Sequence, residues 1–141
     1  MPDLSPTADF DHGICAVDTH YLRPGLAASH LIVENGRVAI VDTGANSAVP
    51  RLLAALEHKE LDPDSVDYLF LTHVHLDHAG GAGLLMRSLP RAVALLHPRG
   101  APHMIDPARL IAGSRAVYGE QKYAELYGEI VPIAADRVRE V

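Results

Sequence analysis

A single cysteine, Cys15, is the chain's entire thiol content, and one thiol cannot close an internal disulfide. Cysteine usage therefore gives no support for an oxidising compartment. Positive charge is the scarcer sign, with 12 Lys and Arg against 18 Asp and Glu, a formal charge of −6. No Lys/Arg stripe is present that could neutralise phosphates, which argues against a nucleic-acid or anionic-membrane partner. No apolar run approaches the ~20 residues that a membrane span needs. Met1-Pro2-Asp3-Leu4-Ser5-Pro6 carries neither a basic nor an apolar leader segment, so no secretory signal is read there and a cytoplasmic location is expected. Internal repeats and low-complexity stretches are missing too.

What is present is the composition of one globular domain: 141 residues, 48% apolar and 21% charged, too apolar for disorder. Residues 1–12 are polar and carry prolines, and read as a loose N-terminal tail ahead of a domain over 13–141. Ile14-Cys15-Ala16-Val17 is a short strand candidate in which Cys15 acts as a small buried hydrophobe. The runs His30–Glu34 and Arg37–Val41 are joined by Asn35-Gly36, a dipeptide whose tolerance of positive φ makes it a strong hairpin signal. After the turn Asp42-Thr43-Gly44 a helix is expected from about Ser47 to Lys59, with Val49, Leu52, Leu53 and Leu56 on one face and Pro50 in the first turn. Val66–Leu71 is a nearly continuous apolar strand, the kind usually buried on both faces. A Gly-rich helix start at 80–83, a strand over Ala92–Leu96, a turn at His97–Gly100 and a two-piece helix ending at Tyr127 follow. The late tyrosines Tyr118, Tyr123 and Tyr127 read as packing residues. Pro132 opens an extended tail in which no further sheet-forming run is seen. Strands and helices alternate, the pattern of an α/β protein.

The chemistry sits in Thr72-His73-Val74-His75-Leu76-Asp77-His78. His73 and His75 leave the end of the apolar strand two residues apart, so in extended chain they point to one side. With Asp77 and His78 they make an N/O-rich set suited to zinc, iron or manganese. Ends of buried strands are where α/β sheets place their sites. The bland alternative is a polar loop of solvated histidines.

This stretch, with Ala79-Gly80-Gly81 behind it and Val41-Asp42-Thr43-Gly44 before it, resembles the His-x-His-x-Asp-His signature of the metallo-β-lactamase superfamily of metal-dependent hydrolases. Arg23–Ala28 and His97–His103 resemble one subgroup of it whose substrates are poorly defined. The resemblance implies the N-terminal half of an αββα sandwich, with His73 and His75 on a first metal and Asp77 and His78 on a second. Zinc is the expected ion, with iron or manganese as alternatives. It implies a metal-activated hydroxide that attacks an ester, lactone, thioester, amide or phosphoester of a small molecule, with Asp77 in the catalytic set. Asp42 would orient a ligand imidazole through its distal N–H, although Asp-Thr-Gly is also plain turn chemistry.

The family's later histidines and bridging aspartate have no counterpart, since no histidine follows His103. The expectation is therefore a site incomplete in this chain alone, finished by a missing C-terminal half or by assembly into a homo-oligomer. A non-catalytic metal-binding half-domain is the alternative function. His97 and His103 are candidates to line a substrate pocket, against ordinary roles beside Pro98 and Pro102. Arg23 and Arg99 could meet an anionic substrate, while His12, His20, His30 and His58 read as surface or loop residues.

Overall fold

A computed structural model of the chain describes residues 7–141. Its centre is a mixed sheet of seven strands whose spatial order is the order of the sequence. Strands β1 (Thr7–Asp9), β2 (Ile14–Asp18), β3 (Ala28–Glu34) and β4 (Arg37–Val41) pair antiparallel in turn. Strands β5 (Val66–Phe70), β6 (Val93–Leu96) and β7 (Val138–Glu140) then continue parallel from β4. The β3–β4 turn is the expected one, with Asn35 at φ 51° and Gly36 at φ 76°.

One face of the sheet is covered. Helix α1 (Val49–His58) follows a short 3-10 turn at Asn46–Ala48 and buries Val49, Leu52, Ala55 and Leu56, with Pro50 in its first turn. Leu52 and Leu56 pack with Leu31, Ile40 and Leu69 of the sheet and with Leu85 of α3 (Ala82–Arg87) in one core. A Leu52→Ala cavity there would cost about 2–5 kcal/mol. A very short helix, α2 (Leu76–Ala79), precedes α3. Beyond β6 come α4 (Ala101–Ile105), α5 (Ala108–Tyr118) and α6 (Glu120–Leu126). Tyr123 and Tyr127 are buried with Ile130 and Leu76 in a smaller cluster.

The other face is open. Register places Ile14, Ile32, Ala39, Tyr68 and Val93 in one row across the strands, and Ile32 and Tyr68 are each 39% exposed and Phe70 38%. The expectation that the 66–71 strand is buried on both faces is thus corrected, because no second layer covers its outer side chains among the described residues.

Two edge strands also depart from the sequence reading. Thr7–Asp9 is not loose tail, since it pairs with β2 in the register Thr7↔Val17 to Asp9↔Cys15; residues 1–6 of that expected tail lie outside the described residues. Nor is the end of the chain free of sheet: Val138–Glu140 lies parallel to β6. Arg137 brings it there by donating to the carbonyls of Met86, Leu89 and Ala92, which close α3 and its following turn.

Candidate metal centre

Asp42 and Thr72 continue from the C-terminal ends of the neighbouring parallel strands β4 and β5, which brings their side chains together. The Asp42 N–H donates to Phe70 O at 2.8 Å, so the ladder runs one residue past β4. Asp42 is buried and has φ 58°, a left-handed conformation uncommon outside glycine. Ser29 steadies it, its hydroxyl lying 2.7 Å from Asp42 O and 3.1 Å from Val41 O.

The carboxylate of Asp42 accepts from Thr72 twice, from the backbone N–H at 2.8 Å and from the hydroxyl at 2.7 Å. Thr72 Oγ1 also lies 2.9 Å from His73 Nδ1. With its hydrogen committed to Asp42, that oxygen acts as the acceptor, so His73 carries its proton on Nδ1 and keeps Nε2 free for another partner. Asp42 therefore reaches His73 through Thr72, and it lies 3.8 Å from His78 Nδ1. Sequence reasoning gave Thr72 no role, although it stands inside the motif, one residue before the first histidine.

The motif backbone is stitched to the Asp-Thr-Gly turn. The carbonyl of His78 accepts from the N–H groups of Thr43 at 2.8 Å and Gly44 at 3.1 Å, with Thr43 Oγ1 at 3.2 Å. Gly81 N–H donates to Gly44 O at 2.8 Å. A Cβ on Gly81 would come within 2.8 Å of Ala45 O, so only glycine permits this approach without a backbone shift.

These constraints gather the predicted side chains. The His73 ring centre is 5.0 Å from that of His75 and 4.5 Å from that of His78. Asp77 Oδ2 is 3.3 Å from His78 Nε2. The rings meet at interplanar angles of 78° and 47°, and among the described residues no three His, Cys, Asp or Glu side chains are disposed to grip an ion as they stand. The donor chemistry fits a transition metal all the same: three neighbouring imidazoles, one with its outer nitrogen already engaged, and an adjacent carboxylate.

Clefts open beside the motif. His75 and Asp77 line one of about 590 Å³, together with Tyr21, Leu22 and one face of α5. His73 lines another of about 320 Å³, shared with His97, Arg99 and His103. There His97 also serves its own turn, because Nδ1 accepts from the Arg99 N–H at 3.1 Å.

Comparison with known proteins agrees with this architecture. The family model of the metallo-beta-lactamase superfamily matches residues 22–140. A hydroxyacylglutathione hydrolase of Salmonella paratyphi A is 39% identical over 77 residues, covering 52% of this chain and 28% of that protein. An endoribonuclease of Gibberella zeae is 32% identical over 82 residues, 58% of this chain and 9% of that protein. Among solved structures, the subclass B3 metallo-beta-lactamase MEM-A1 from a soil metagenome library superposes with a TM-score of 0.69 at 19% identity, over 97% of this chain and 46% of its own. FEZ-1 from Legionella gormanii gives 0.67 at 19% identity, over 99% and 48% respectively. The chain thus spans about half the length of these solved structures and less of the curated relatives.

Proposed function

The chain belongs to the metallo-β-lactamase superfamily, a family of metal-dependent hydrolases, and we propose that it is a metallo-hydrolase whose ligands include His73, His75, Asp77 and His78. The observation that carries this reading is the gathering of those four side chains at the end of β5, with His73 Nδ1 held by the Thr72–Asp42 pair. Zinc is the ion the set suits best, with iron or manganese as alternatives. When bound, such an ion supplies Lewis acidity and lowers the pKa of water to about 7.

The chain's own residues do the rest. Thr72 and Asp42 hold one imidazole in a single tautomer, so its Nε2 is presented without a search for orientation. Asp77 faces the larger cleft, where its carboxylate can take a proton from water. In the hydrolysis of an ester, lactone or thioester the water oxygen bonds to the acyl carbon and the C–O or C–S bond breaks. The proton then passes to the departing alcohol or thiol. His97 and His103 stand beside His73 in the smaller cleft, and on this reading they touch a substrate's outer part.

The open sheet face favours a further element, a covering partner for which a second copy of the chain is our preferred occupant, with a C-terminal half of the sandwich as the other. If that cover brings no additional ligands, the second functional reading applies, a metal-binding half-domain without turnover.

Dialysed protein titrated with zinc, manganese and ferrous iron, with elemental analysis and a panel of lactones, esters and thioesters, tests this. The wild type should retain metal and a His73→Ala/His75→Ala variant should lose it. Equal retention by both removes the ligand assignment. Metal retention without turnover selects the half-domain reading.

A further inference from the structure

Helix α5 is 11 residues long and buries none of them, yet it carries Leu110, Val117 and Tyr118 toward the cleft that His75 and Asp77 floor. Val117 is 77% exposed, and Leu22 on the opposite wall is 65% exposed. Exposed apolar residues scattered singly need no explanation, but apolar groups lining one concavity do. Between Leu110 and Val117 the helix face drops to Gly113 and Ser114, and a Cβ at Gly113 would meet nothing within 4 Å. Small residues in mid-helix thus hollow out the wall. The opposite wall is firm: Tyr21 OH lies 2.7 Å from Tyr127 OH, and their rings stack at 6.1 Å. A volume of about 590 Å³ is in the range of small-molecule pockets.

We propose that this cleft is the acyl pocket of the enzyme and takes a medium-length aliphatic or arylalkyl acyl chain, with the carbonyl end at His75 and Asp77. The inference rests on the metallo-hydrolase reading and adds the substrate class to it. Apolar area on both walls removes the chain from water, and the gap at Gly113 gives it room to lie along the helix.

The test uses carboxylates that stand for the acid product. Acetate, hexanoate and decanoate are titrated into the full chain by calorimetry and saturation-transfer NMR, with and without zinc. Affinity should climb by about two- to fourfold per added methylene until the pocket is full. Gly113→Phe should lower decanoate affinity at least tenfold (~10×) by filling the hollow, and Val117→Asn, at an exposed position, by about threefold. Affinity independent of chain length, or unchanged in both variants, overturns the proposal. So does a failure of decanoate to bind while Gly113→Phe shifts the sedimentation profile, which would make the cleft a contact between copies. Zinc retention without chain-length dependence removes the acyl pocket alone; chain-length dependence without zinc retention removes the metal reading alone.

Discussion

Thr72 has one hydroxyl hydrogen and two neighbours that want its oxygen. The Asp42 carboxylate can only accept, so the hydrogen goes there, at 2.7 Å, and the lone pairs are left for His73 Nδ1 at 2.9 Å. This ordering makes a three-residue relay in which removal of one oxygen frees an imidazole. Thr72→Val should therefore weaken zinc binding by about 10–100-fold, the usual effect of losing a partner behind a ligand, while Thr72→Ser keeps it. Competition against a chromophoric chelator measures both, and a Thr72→Val protein as tight as wild type would refute the relay. The relay was not legible in the sequence because a Thr beside a His has no fixed partner until β4 and β5 align. The motif itself was legible, since a two-residue step in extended chain puts His73 and His75 on one side whatever surrounds them.

Elements set how those residues are held, and the segment from Thr19 to Ala27 is the clearest case. Asp18 ends β2 and accepts from the His20 N–H at 2.8 Å and the Gly25 N–H at 2.6 Å. Thr19 N–H and Oγ1 reach Ala27 O at 3.0 and 3.1 Å, closing the loop's neck. From α1, Arg51 Nη2 meets His20 Nδ1 at 2.7 Å. Tyr21 and Leu22 are thereby fixed against the cleft. Burial works against a charged Asp18, but the two backbone donors together with the nearby His20 and Arg51 charges outweigh it and hold its pKa below the ordinary 3.8. A depressed folded-state value means stabilisation that is present above about pH 4 and lost as pH falls through the folded value. Asp18→Asn should thus lower stability by about 1–2 kcal/mol at pH 7, with the gap closing in acid, below the depressed folded value. Thermal melts at neutral and at acid pH would show it, and a gap of equal size at both would contradict the anchoring role. Elsewhere the sequence was readable where a local rule acts alone, as with Asn35-Gly36 and the apolar face of α1. It was silent on β1 and β7, three-residue strands too short for any alternation, which exist because a neighbour offers an edge and, for β7, because Arg137 ties down the approach.

For the whole molecule, the decisive feature is the sheet with one covered face. A nearly continuous apolar strand such as Val66–Phe70 reads the same whether a second layer is present or not, so its sequence could not reveal that Tyr68 and Phe70 look outward. In a sandwich that side meets another sheet at about 10 Å. Light scattering at micromolar concentration should accordingly find a dimer, and Tyr68→Lys/Phe70→Lys should dissociate it by placing charge on the apolar rows. A monodisperse monomer of the wild type would refute this partner. The fold class follows from strand–helix alternation alone, whereas the occupancy of the second face depends on contacts outside any one segment.

The strand order carries a kinetic consequence. Every strand lies beside its neighbour in sequence, but the closures differ: β1 to β4 pair across short loops, while each parallel pair from β4 onward waits for a longer, helix-bearing crossover. The two anchors of the histidine cluster, at the ends of β4 and β5, are brought together through the α1 crossover, and their pairing needs neither α5 nor β7. The antiparallel half can thus pair first, and the histidine cluster assembles once the α1 crossover has brought β5 to β4.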